Sequence, residues 1–119
     1  MKLIKAYVRR ERAEHVVRAL EQTGAPGISV VSVHGVGYGY DPRSFQPPTQ
    51  IGSAPQVIKL EVVCHDDEVD ALVSAIVSSA RTGSPGDGIV FVTPVERVVK
   101  IRTGEEHLGR LREGAPITS

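Results

Sequence analysis

With 119 residues, 40% of them hydrophobic and 24% charged, the chain has the proportions of one globular domain, residues 1–119. Its 14 basic and 14 acidic side chains give a formal net charge of +0, which argues against nucleic acid or an anionic membrane as the main partner, since both select for a basic surface. A lone cysteine, Cys64, excludes an internal disulfide and suits a reducing compartment. No stretch nears the roughly 18 uninterrupted apolar residues of a membrane span, and no signal-peptide core opens the chain, so the expected location is cytoplasmic without membrane insertion.

Residues 2–8 alternate, with Ile4, Ala6 and Val8 opposite Leu3, Lys5 and Tyr7, and predict a strand. Across 12–22, Ala13, Val16, Val17 and Leu20 form one helical stripe, which Gly24 and Pro26 terminate. Residues 28–36 are β-branched and apolar, the pattern of a mostly buried strand. Residues 38–56 then hold four prolines and no periodicity; a loop of this length in a small domain is functional or a disordered insertion. It also carries Tyr40 and Phe45, out of very few aromatics in the chain.

Alternation resumes over 57–63, where Ile58, Leu60 and Val62 oppose Lys59 and Glu61. His65, Asp66, Asp67 and Glu68 open a second helix with an aspartate N-cap and an acidic first turn. Val69, Leu72, Val73, Ile76 and Val77 give it a buried stripe. A strand over 89–93 and a last extended segment over 95–101 follow, and a polar tail (105–119) carries Leu108 and Leu111 as a short helical stripe. Cys64 ends an apolar run and reads as a buried, inert thiol. The order strand, helix, strand, strand, helix, strand is that of an α+β, ferredoxin-like βαββαβ sandwich with a long loop between strands 2 and 3. One sheet face takes both helices; the other also carries apolar residues, so a homo-oligomer is expected to cover it.

The stretch that points to chemistry is 82–88, Thr-Gly-Ser-Pro-Gly-Asp-Gly, which can continue neither a helix nor a central strand. Such a loop can curl into a concave nest of N–H donors that suits phosphate oxygens, although a plain helix-to-strand turn needs the same residue types. Lys100 and Arg102 follow one strand later. Two cations and an N–H nest are what an oligophosphate requires; the alternative for the pair is a solvated strand face.

Three motifs in order carry a resemblance. Gly35-x-Gly37 stands before the long loop, Thr82-Gly83-x-x-Gly86-Asp87-Gly88 precedes an apolar strand, and Ile101-Arg102-Thr103-Gly104-Glu105-Glu106 follows it. Over residues 1–106 the chain resembles the P-II signal-transduction family, the trimeric nitrogen-regulatory nucleotide sensors. The resemblance implies a homotrimer with three inter-subunit clefts that bind adenine nucleotide (ATP, ADP or AMP), and a long loop that reports to a partner protein. By position, the backbones of Gly86, Asp87, Gly88 and Ile89 would wrap the phosphates. Gly35, Val36, Gly37 and Tyr38 would add backbone donors, Ser29 would stand near the adenine, and Lys100 and Arg102 would reach phosphates across the subunit boundary.

Departures from the family pattern are as informative. Ile89 stands where the family has a phosphate-binding lysine, and Gly39 where it has the glutamine that ligates Mg²⁺. Pro55, Gln56 and Val57 occupy the region of the lysine that holds 2-oxoglutarate, and no mid-loop tyrosine is available for uridylylation. Ser44 is an ordinary loop serine. This combination resembles the divergent P-II-like branch, whose members sense adenine nucleotides, some with a second small anion such as bicarbonate, and are linked to membrane transporters. A regulatory protein with no catalytic residues and no metal site is therefore expected. The alternatives are an ordinary P-II nitrogen regulator, a slow ATP hydrolase using Glu61, Asp87 or His65 as base, and a metal-binding or structural trimer. For the last, His15, His34, His65 and His107 show no ligand spacing.

Overall fold

The computed structural model describes residues 1–35 and 56–106. Its elements are β1 (Lys2–Val8), α1 (Ala13–Thr23), β2 (Ser29–His34), β3 (Gln56–Cys64), α2 (Val69–Ala80) and β4 (Gly88–Pro94), with short 3₁₀ turns at Arg10–Arg12 and Asp66–Glu68 ahead of the helices. The strands form one sheet in the order β2-β3-β1-β4, with every neighbouring pair antiparallel. This is the expected ferredoxin-like arrangement.

Alternation decides the two faces. Ile4, Ala6 and Val8 of β1 and Ile58, Leu60, Val62 and Cys64 of β3 are buried beneath the helices. They meet Val16 and Leu20 of α1 and Leu72, Ile76 and Ala80 of α2, which recur at helical spacing. Burying one such aliphatic side chain contributes roughly 1.5–3 kcal/mol, so this layer supplies most of the driving force. Gly24 ends α1 at φ 91°, where its N–H and that of Ala25 reach the Glu21 and Leu20 carbonyls at 3.0 and 2.9 Å. Cys64 is fully buried, as its place in the alternation implies.

The opposite face is only half polar. Leu3, Tyr7, Val31, Val63, Ile89 and Phe91 share it with Lys5, Lys59 and Glu61, by the strand register. Tyr7 and Phe91 pack edge to face with ring centroids 6.2 Å apart, and the Lys59 ammonium lies 3.7 Å from Glu61.

Three expectations are corrected. The strand over 28–36 forms as Ser29–His34 but is exposed, with Val30 at 53% and Val31 at 45%. It is the sheet's edge, and within one chain neither of its faces is fully covered. The extended segment over 95–101 joins no strand among the described residues. It leaves the sheet after Val95, whose N–H donates to the Met1 carbonyl at 3.0 Å, and closes a tight hairpin in which Val99 bridges Glu106. No aspartate caps the second helix: His65 caps the 3₁₀ turn ahead of it, where the Glu68 carboxylate accepts from the His65 N–H at 3.0 Å, and Glu68, the N-cap position of α2, makes no side-chain cap bond. Asp66 instead pairs with the Met1 ammonium at 2.9 Å, which holds its carboxyl below the usual range.

No helix among the described residues is long and apolar enough to cross a membrane. The loop over 38–56, Gln56 excepted, and the tail stripe of Leu108 and Leu111 lie outside the described residues.

Candidate functional site

The glycine loop is built on the Asp87 carboxylate. The Thr82 and Gly83 N–H groups each donate to Oδ2 at 2.8 Å, and the Thr82 hydroxyl donates to Oδ1. From the end of β1, Arg9 Nε donates to the same Oδ1 at 3.0 Å, and a terminal nitrogen of Arg9 donates to the Pro85 carbonyl at 2.6 Å. The Thr82 hydroxyl, with the backbone donors and the Arg9 guanidinium behind it, holds the Asp87 carboxyl far below the ordinary carboxylate range against the smaller effect of desolvation. A loop so braced has its shape before any ligand arrives, and Asp87 supports its own turn as the residue type suggests.

Gly83, Gly86 and Gly88 all have positive φ, at 88°, 93° and 116°. Gly88 is fixed by space as well: a Cβ there would sit 1.8 Å from the Tyr7 carbonyl oxygen. Thr82 and Gly83 are thus committed to Asp87, and Pro85 and Gly86 form a hydrogen-bonded turn. The Gly86 N–H, inside that turn, is a donor that a loop of this shape can offer to a phosphate. Ile89 stands opposite Tyr7 in the β1–β4 register.

The register locates the remaining candidates. Gly88 faces Val8, Val8 faces Ile58, and Ile58 faces Ser32, so the glycine loop and the end of β2 occupy the same end of the sheet. Gly35 follows β2 there and is buried. Ser29 lies further along β2, opposite Glu61, and is exposed. Lys100 and Arg102 belong to the hairpin that leaves β4 at its far end, a strand length of about 20 Å from Gly88. Lys100 is 8% exposed, which removes the reading of a solvated strand face, and no carboxylate pairs with it among the described residues. Its N–H donates to the Glu105 carbonyl at 2.9 Å and its carbonyl accepts from the Gly104 N–H at 2.7 Å. Arg102 is exposed in the turn, and the hairpin is tied by an Arg97–Glu106 ion pair. Val36, Gly37 and Tyr38 lie outside the described residues.

An apolar groove of about 220 Å³ runs beside the loop between α2 and the start of β4, with Tyr7, Val77, Ala80, Gly88 and Ile89 in its walls. Neither Lys100 nor Arg102 lines it. The glycine loop thus enters β4 at one end, and the segment that carries the two cations leaves it at the other.

As general bases the candidates fare poorly. Asp87 has both oxygens engaged and a depressed affinity for protons, Glu61 pairs with Lys59, and His65 caps a helix turn. Among the described residues no three His, Cys, Asp or Glu side chains converge on a metal-sized space. The residues that sequence reasoning passed over are Arg9 and Tyr7. Arg9 meets Asp87 across 78 positions, and no local periodicity announces such a contact.

The family model described as nitrogen regulatory protein P-II matches residues 1–105. Nitrogen regulatory protein P-II 2 of Methanothermobacter thermautotrophicus is 41% identical over 111 residues, 88% of this chain and 92% of that protein. The nitrogen regulatory protein P-II of Cereibacter sphaeroides is 41% identical over 107 residues, 88% and 95% of the two chains. That of Microchaete diplosiphon is 38% identical over 112 residues, 90% and 96%. Matched over residues 1–105, with the sheet order and glycine loop described above, the chain belongs to the P-II family of signal-transduction regulators.

Proposed function

We propose that this protein is a non-enzymatic, cytoplasmic homotrimer that senses adenine nucleotide in clefts between neighbouring subunits. Through the loop over 38–56 it signals to a partner protein, a membrane transporter. The observation that carries the reading is the split of the candidate site. A preformed N–H loop shares one end of the sheet with Gly35, while Lys100 and Arg102 leave β4 at the other end. A single ligand that uses both sets draws them from two chains. The half-apolar outer sheet face and the exposed edge strand β2 support the same assembly, because a solitary chain leaves Val31 and Phe91 in water.

The phosphates would rest on the backbone of Gly86, Asp87, Gly88 and Ile89 and of Gly35 to Tyr38, with Ser29 near the adenine. Ile89 removes one cation from the phosphate site, which weakens ATP more than ADP or AMP. Gly39 and the Pro55–Val57 region provide neither the metal ligand nor the cation that an α-keto dicarboxylate would need, so the 2-oxoglutarate response is lost; bicarbonate is a second anion small enough to replace it. Nucleotide shifts the long loop only by its differential affinity for the loop's states.

The test is twofold. Light scattering should give three chains per particle. A fluorescent ADP analogue should be displaced by ADP, AMP and ATP from the wild type but not bound by a Lys100→Ala/Arg102→Ala chain that still forms trimers. A monomer, or a double variant that binds like the wild type, refutes the inter-subunit site.

A further inference from the structure

The loop offered to phosphates contains one carboxylate, Asp87, set between Gly86 and Gly88. Its four hydrogen bonds, to the Thr82 and Gly83 backbone, the Thr82 hydroxyl and Arg9, shape the loop by keeping it ionised. A fixed negative charge beside a polyanion is unfavourable, and the repulsion grows with each charge the ligand carries. Ile89, next in the chain, brings no cation.

The compensating charge comes from Arg9. Val8, the last residue of β1, faces Gly88, so the next residue stands beside the loop. The Arg9 side chain is only 13% exposed, its Nε is 3.0 Å from Asp87 Oδ1, and its second contact reaches the Pro85 carbonyl at 2.6 Å. One planar guanidinium thereby grips the loop at two points, a geometry that lysine cannot reproduce in full. Among the described residues it is the only side-chain cation paired with Asp87.

We propose that Arg9 is a positioning residue for nucleotide: it neutralises Asp87 and thereby sets how many phosphate charges the glycine loop accepts. The proposal rests on the nucleotide reading above. Arg9 touches no ligand; it acts through Asp87. Its signature is therefore a change in the ratio of ATP to AMP affinity, because a merely structural loss weakens every nucleotide alike.

The experiment is titration calorimetry of the full chain with AMP, ADP and ATP at low and at high salt, on the wild type, Arg9→Gln, Arg9→Lys and Asp87→Asn. Arg9→Gln leaves the Asp87 charge uncompensated. It should weaken AMP about 3-fold and ATP about 30-fold at low salt, with the difference shrinking as salt screens it. Arg9→Lys keeps the charge and should hold the ATP:AMP ratio within about 3-fold of the wild type. Asp87→Asn removes the negative charge while leaving an amide oxygen for Arg9, and should move the ratio the other way, which keeps the proposal testable even if Arg9→Gln does not fold. Equal losses for AMP and ATP in Arg9→Gln, or an unchanged ratio in Asp87→Asn, overturn the role of Arg9 while leaving the nucleotide site standing. A wild type that binds none of the three refutes the nucleotide reading and the proposal with it.

Discussion

Replacing Gly88 by alanine tests whether the glycine loop is shaped by its contact with β1. The residue has φ +116°, a conformation that costs a non-glycine residue on the order of 1–3 kcal/mol. Its new Cβ would fall 1.8 Å from the Tyr7 oxygen and 2.9 Å from the Tyr7 carbonyl carbon, both backbone atoms of the neighbouring strand. No side-chain rotation relieves this. The strands must part by roughly 1 Å at this end, losing a ladder hydrogen bond that contributes about 1 kcal/mol. Together the loss is about 3 kcal/mol, a large fraction of the 5–15 kcal/mol on which a domain of this order rests, and it should lower the melting temperature by about 10 °C. Gly83→Ala is the control: φ is +88° but nothing lies within 4 Å of the added Cβ, so strain alone remains, about 1 kcal/mol. Urea unfolding of both variants measures the difference. A Gly88→Ala variant within about 1 kcal/mol of the wild type, or no worse than Gly83→Ala, refutes the argument.

The hydrogen bonds on Asp87 depress its proton affinity in the fold, so their stabilisation is complete above the unfolded carboxylate range near about 4 and is lost as pH falls through and below it. Denaturation followed from pH 7 to pH 2 should show a steeper acid loss in the wild type than in Asp87→Asn; parallel curves would contradict the assignment. Leu20→Ala removes a fully buried side chain between helix and sheet and should cost about 2–5 kcal/mol by urea unfolding. Cys64, at 0% exposure, should resist a thiol reagent in the native protein and react at once in denaturant. Phe91→Asp places a charge on the outer sheet face and should give monomers in light scattering, with the secondary structure seen by circular dichroism retained.

Much of this fold was legible because periodicity and burial agree. The alternation of Ile58, Leu60, Val62 and Cys64 named the β3 core, and the stripe ending at Gly24 named α1 and its cap. The reading faltered where the covering surface or the partner is distant. The β-branched residues of β2 have the composition of a buried strand, yet within one chain the edge position leaves Val30 and Val31 exposed. Residues 95–101 have strand composition but meet no neighbouring strand among the described residues, and the segment pairs with itself through Val99 and Glu106. At the site, the glycines and Asp87 announce a turn by type alone. Arg9 could not be identified that way, because its partners at Pro85 and Asp87 are brought to it only by the pairing of β1 with β4.

The most direct test of the central claim is calorimetry on the purified full chain with ATP, ADP and AMP, each with and without Mg²⁺, 2-oxoglutarate and bicarbonate. ADP and AMP should bind at least as tightly as ATP, and 2-oxoglutarate should change nothing. Failure of all three nucleotides to bind at millimolar concentration would contradict the sensor itself. Mg-ATP binding tightened by 2-oxoglutarate would contradict the roles given to Ile89, Gly39 and the Pro55–Val57 region, and would make this protein an ordinary nitrogen regulator.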